Sequence, residues 1–221
     1  LIECGDEEGA VEAAREGVRI LPRNAYLWYR LADVLNEIPR FAAPGEIESC
    51  LRQALCLSPN FSMALDRLAY HLAEQRRFDE AEDLIGSVLS RTADQSLARG
   101  RLCWIHRQRG RNDAVEEMAG VVRAAPWFRW GWDFLMHWLI VDAKWDLARS
   151  LLCPPPPEQR ANTQFQRRRL QVLAASGAPA AELDSEWEEL LAEFPEDLPL
   201  YLERYDELRY NNRFKESAVV L

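Results

Sequence analysis

An all-α solenoid of stacked helix pairs is the fold class this sequence predicts, and three observations predict it. Pro22, Pro59, Pro126 and Pro195 lie 37, 67 and 69 residues apart. The last two gaps are each about twice the ~34-residue step of a helix-pair repeat, and the missing beat falls at Ala93 in an otherwise matching frame. Between the prolines, large apolar residues recur at helical spacings of three and four. Alanines occupy close-packing positions among them, such as Ala32, Ala54, Ala69, Ala81 and Ala114. A stack of helix pairs needs no central core, because each repeat buries its apolar face against its neighbours, and such stacks usually serve as binding surfaces. About thirteen helices and no sheet are expected from a repeat of this length.

The elements follow in order. The chain opens near the second helix of a pair. A first helix carries Trp28, Leu31, Ala32 and Leu35. The frame then gains three residues, and residues 38–45 read as a longer inter-helix loop, because Pro39, Pro44 and Gly45 forbid continuous helix. Ile47, Leu51 and Ala54 make the second helix that leads to Pro59. Leu65, Leu68, Ala69 and Leu72 open the next pair, which Ala81, Ile85 and Val88 close. Leu102 and Cys103 lead to Ala114, Met118, Val121 and Pro126. Trp132, Leu135, Met136 and Leu139 lead to Ala148 and Leu152. There the helix must stop early, since Pro154–Pro157 cannot donate backbone hydrogen bonds and favour an extended conformation. A polar helix is expected over residues 159–175, then a second helix with Leu183, Trp187, Leu190 and Pro195. Tyr201, Arg204, Tyr205 and Leu208 open a last unit.

These runs resemble the tetratricopeptide repeat, whose pattern is roughly W-x2-L-G-x2-Y in the first helix and A-x3-F-x2-A-x4-P in the second. Trp28-x2-Leu31-Ala32-x2-Leu35 and Ala114-x3-Met118-x2-Val121-x4-Pro126 carry the likeness, which covers nearly the whole chain. It implies a right-handed superhelix of about six such repeats. The expected organisation is residues 1–153 as N-terminal repeats, 154–161 as a proline-rich break and 162–221 as degenerate C-terminal repeats. Because the frame starts and stops inside repeats, a fragment of a longer protein is expected.

Charge and special residues narrow the function. The net charge is −9 and the pI about 5.0. That opposes general nucleic-acid binding, which needs Lys and Arg to neutralise phosphates. No apolar run is long enough to cross a bilayer, so no membrane partner is expected. The five cysteines, Cys4, Cys50, Cys56, Cys103 and Cys153, are scattered and form no C-x2-C pair. Free thiols in a reducing cytoplasm are expected, without a metal site or cofactor. His71, His106 and His137 have no metal-ligand spacing, and no catalytic or nucleotide-binding motif is present, so no catalytic residue is assigned.

The aromatic run Trp127, Phe128, Trp130, Trp132, Phe134 and Trp138 is the most unusual local feature. Trp132 and Trp138 fit the core pattern. Trp130 falls on the inward face that the resemblance implies. In the repeat family the concave surface is lined mainly by first helices, at the second, fifth, sixth, ninth and twelfth positions. Carried onto this chain, that implies a peptide-binding set of Tyr26, Tyr29, Arg30, Arg67, Tyr70, Arg101, Trp104, Arg107, Trp130 and His137. Aromatics supply rigid contact area and arginine forks hold carboxylates or carbonyls, which suits an extended and partly acidic peptide. The Lys and Asn of the family's carboxylate clamp are absent; Tyr29, Asp33 and Arg67 stand in their places. The function expected is a protein-interaction scaffold. The alternative is a regulatory or substrate-recruiting domain of a protein-modifying enzyme whose catalytic part lies elsewhere. Uncapped terminal helices would also allow self-association.

Overall fold

The computed structural model describes residues 6–89 and 95–220, and among them thirteen α-helices and no strand. Ala93, where the missing proline beat falls, and Cys4 lie outside the described residues, as does the side chain of Val88. The helices fall into two compact units, residues 1–114 and 115–221. The proline-rich residues 154–161 lie within the second.

The first unit contains α1 (Glu7–Ile20), α2 (Ala25–Glu37), α3 (Glu46–Leu57), α4 (Ser62–Glu74), α5 (Phe78–Leu89) and α6 (Ser96–Gln108). Helices adjacent in sequence pack together, and α4 also packs on α6. Leu31, Leu35, Leu51, Leu68, Leu72, Ile85 and Ile105 are buried between them, with Ala32, Ala54, Ala69 and Ala81 where the helices approach. The second unit runs through α7 (Ala114–Ala124), α8 (Arg129–Val141), α9 (Trp145–Leu152), α10 (Thr163–Ala175), α11 (Ala180–Glu193), α12 (Leu198–Tyr210) and α13 (Phe214–Val220). Its core holds Met118, Trp132, Leu135, Met136, Leu139, Leu152 and Leu173, joined on α10 to α12 by Leu170, Leu183, Trp187, Leu190 and Leu200.

Two local devices explain the period. Each repeating proline is the second residue of a four-residue turn that follows a second helix. The turns are closed by Asn24 N–H to Leu21 O at 3.0 Å, Phe61 N–H to Ser58 O at 3.1 Å, Phe128 N–H to Ala125 O at 3.0 Å and Asp197 N–H to Phe194 O at 3.2 Å. Proline pre-sets the backbone angle such a turn needs there. The other device ends the first helices. Arg76, Gly110, Ala143, Gly177 and Asn212 all have positive φ, between 51° and 86°. After each, an N–H reaches back to the helix: Arg77 to Leu72 O, Arg111 to His106 O, Lys144 to Leu139 O, Ala178 to Leu173 O and Arg213 to Leu208 O, at 2.8–3.1 Å. This is the Schellman closure, which satisfies the last carbonyls of a helix and turns the chain back sharply. Helix α2 lacks it because Pro39 follows; the chain takes a 3-10 turn at Pro39–Phe41 instead and fills the longer loop expected at residues 38–45.

The proline run stops α9 after eight residues, as expected. A short turn at Pro157–Gln159 follows. Gln159 is buried there, and its amide donates to Pro126 O at 2.6 Å. The Trp132 indole donates to the same carbonyl at 2.9 Å, and its ring meets Phe165 edge-on, with centroids 5.3 Å apart. Trp28 repeats the motif in the first unit, donating to Pro22 O at 2.8 Å. The tryptophan at the fourth position of a first helix therefore ties that helix to the proline turn before it.

Candidate interaction face

The residues expected to meet a peptide sit on first helices, and the structure places them as follows. In the first unit, Tyr26 on α2 is exposed, whereas Tyr29 is buried against Phe61, with ring centroids 5.3 Å apart. Phe61 also meets Tyr26, at 6.4 Å. Arg30 is half-exposed and donates to Asp33 at 3.1 Å. Asp33 is buried and takes a second arginine, Arg67 of α4, at 2.5 Å.

One repeat further on, Arg101 of α6 grips Asp66 of α4 with both Nε and Nη2, at 2.7 and 2.9 Å. Its guanidinium lies 5.2 Å from the Tyr70 and Trp104 ring centroids, and those rings pack 5.0 Å apart. Arg101 and Trp104 are both buried. Neither belongs to the apolar repeat pattern, so their burial was not legible from it; the neighbouring repeat covers them. The Tyr70 hydroxyl donates to Glu74 at 2.5 Å, and this bond, with burial behind it, raises the phenol above its ordinary pKa. Arg107 lies on the last turn of α6, half-buried.

In the second unit, Trp130 on α8 is half-buried between Phe128 and Phe134, with centroids at 5.7 and 4.6 Å. Gly131 makes room for this cluster, since a Cβ there would lie 2.4 Å from the Phe128 ring. His137 is exposed on the same helix. Asp133 of α8 faces Arg168 of α10 at 3.5 Å, and Arg167 of α10 meets Glu203 of α12 at 3.0 Å.

Asp33–Arg67, Asp66–Arg101 and Asp133–Arg168 are thus pairs one repeat apart, 34, 35 and 35 residues in sequence. They join successive first helices edge to edge. A reading by position puts these aspartates on the same face but does not pair them, though an Asp followed one period later by an Arg is a signal the sequence carries. The arrangement is one of packing and charge pairing. Among the described residues, no group of three or more His, Cys, Asp or Glu side chains gathers as a metal site would, and no helix is long and apolar enough to cross a membrane.

No family model matches the sequence, and no curated protein matches it. Solved structures do. PilF of Pseudomonas aeruginosa is similar over 93% of this chain and 92% of its own, with 19% identity and a TM-score of 0.58. PilW, a type IV pilus biogenesis factor, is similar over 90% and 91%, with 15% identity and a TM-score of 0.54. A tetratricopeptide repeat protein from Parabacteroides merdae is similar over 98% and 84%, with 15% identity and a TM-score of 0.53. The fold of this chain is that of the tetratricopeptide-repeat proteins, an α-solenoid of helix-turn-helix repeats.

Proposed function

We infer that this chain is a protein-interaction scaffold, and that the first helices of each unit offer a face that receives an extended segment of a partner protein. The observation that carries the reading is that α4 packs on α6, and that α2, α4 and α6 are tied in series by the Asp33–Arg67 and Asp66–Arg101 pairs, with Tyr26 exposed beside them. A surface held rigid by ion pairs and stacked rings loses little conformational entropy on binding. In this reading Tyr26 is the contact residue of the first unit, where Tyr29, Arg101 and Trp104 hold the helices in place, and Trp130 and His137 are the contact residues of the second. The thiols of Cys50, Cys56 and Cys153, which form no disulfide, support a cytoplasmic location.

The test is affinity capture followed by mass spectrometry, comparing the unaltered chain with Tyr26→Glu, His137→Glu and, on the exposed side of α11, Glu189→Lys. Partners of the unaltered chain should be lost at least tenfold with Tyr26→Glu or His137→Glu and retained with Glu189→Lys. The reverse pattern overturns the reading and moves the binding surface to the second helices.

A further inference from the structure

We propose that the first-helix face of the first unit takes an extended segment that is neutral or basic and carries an apolar side chain at about every third residue; this rests on the interaction reading above and specifies its ligand. Three of the four arginines that make an acidic ligand attractive from the sequence, Arg30, Arg67 and Arg101, already hold carboxylates of this chain. Arg101 is bidentate on Asp66, and Arg30 and Arg67 share Asp33. A ligand carboxylate that took the same donors would have to displace Asp33 or Asp66. Displacing Asp33, only 8% exposed, would leave a buried carboxylate short of its partners. The net charge of −9 further disfavours an acidic ligand and favours a neutral or basic one.

What this face leaves open is apolar. The second residue of each first helix is Tyr26 on α2, Met63 on α4 and Leu97 on α6, and they are 52%, 47% and 38% exposed. A single exposed apolar residue means nothing. Here one stands at the same position in three successive repeats, and Phe61 bridges the first to the start of the second helix through its contact with Tyr26. Ile20 at the end of α1 and Leu21 in the turn before α2 are also exposed.

The spacing of the row selects the ligand's conformation. Helices α4 and α6 pack together, and packed helices have axes about 8–10 Å apart. Three residues of an extended chain span about 10 Å at ~3.3 Å each, and one three-residue turn of polyproline II spans about 9.3 Å. Apolar side chains at i+3 and i+6 of such a ligand therefore keep step with Met63 and Leu97, and one at i meets Tyr26 on α2, which the Asp33–Arg67 pair ties to α4. A helical ligand rises ~1.5 Å per residue and would need about seven residues per step.

The experiment is selection of a phage-displayed library of random dodecapeptides on the whole chain, then affinity measurement on synthetic copies of the enriched peptides. The expected winners are neutral or basic, with apolar residues at i, i+3 and i+6. Their affinity should fall at least tenfold with Met63→Glu and with Leu97→Glu, less with Met63→Ser, and stay within twofold with Glu189→Lys. Circular dichroism of each variant should match that of the unaltered chain, since the substituted side chains are exposed. Acidic winners whose binding falls with Arg30→Gln would overturn this inference while leaving the first-helix face as the binding surface. Apolar winners repeating every seven residues would overturn the extended conformation. Winners that bind Met63→Glu normally and are lost with Glu189→Lys would overturn both this inference and the reading it rests on. A library with no enriched sequence would overturn this inference alone if partner capture still depends on Tyr26.

Discussion

Removing both donors from the Pro126 carbonyl should cost more than the sum of removing each. Trp132 and Gln159 donate to that oxygen from different elements, at 2.9 and 2.6 Å, and both side chains are buried. Trp132→Phe keeps an aromatic ring against Phe165 and deletes one hydrogen bond, at about 1 kcal/mol. Gln159→Met keeps the length of the side chain and deletes the other, together with the bond that its Oε1 accepts from Asn162 at 2.8 Å, at about 2 kcal/mol. In either single variant the carbonyl still has a donor. In the double variant it has neither, and an unsatisfied buried acceptor costs a further ~1–3 kcal/mol. The double variant should therefore lose roughly 4–6 kcal/mol, with a coupling energy of about 1–3 kcal/mol. Trp132→Ala, which also opens a cavity, should lose about 3–5 kcal/mol by itself. Urea unfolding followed by circular dichroism at 222 nm reads all four, with the slopes compared to check that the unfolded states are alike. If the double variant equals the sum of the singles within about 0.5 kcal/mol, the carbonyl is reached by water and the shared-acceptor argument fails.

Three further outcomes follow from the same structure. Asp66→Ala should destabilise the first unit by about 2 kcal/mol, because it removes a bidentate charged partner from buried Arg101, whereas Arg30→Ala should cost under about 0.5 kcal/mol, since Asp33 keeps Arg67; equal effects in thermal unfolding would contradict the burial assigned to these pairs. Arg169 holds Glu186 through two hydrogen bonds of 2.7 Å and depresses its pKa, so the carboxylate binds its proton less readily folded than unfolded. That stability is present above the ordinary glutamate pKa of about 4.3 and lost as the pH falls through the depressed folded value, so Glu186→Gln should lower stability at neutral pH and flatten its acid limb; an unchanged acid limb would refute the coupling. Ala143 carries φ = 51° at a helix end where glycine stands in two other repeats, so Ala143→Gly should stabilise the chain by about 0.5–1 kcal/mol, and a loss in unfolding temperature would show that the strain is absent.

What the sequence determined by itself is the part of the structure governed by short-range chemistry. Proline fixes its own φ, so the turns at Pro22, Pro59, Pro126 and Pro195 were legible as a period. Apolar residues at spacings of three and four must share a helix face, so the helices around Leu31, Leu68 and Leu135 were legible too, as was the early end of α9 at the proline run. The tertiary structure alone decided which polar and aromatic side chains remain open. Tyr26 and Tyr29 are three residues apart on one helix, yet Phe61 and the start of the next repeat cover one and leave the other exposed. Arg67 and Arg101 look like free forks in a list of groove positions; they are occupied because each aspartate partner lies a whole repeat away, 34 and 35 residues earlier in the chain. Burial and charge pairing in a solenoid are set by the neighbouring repeat, and that neighbour is brought into contact only when the helices stack.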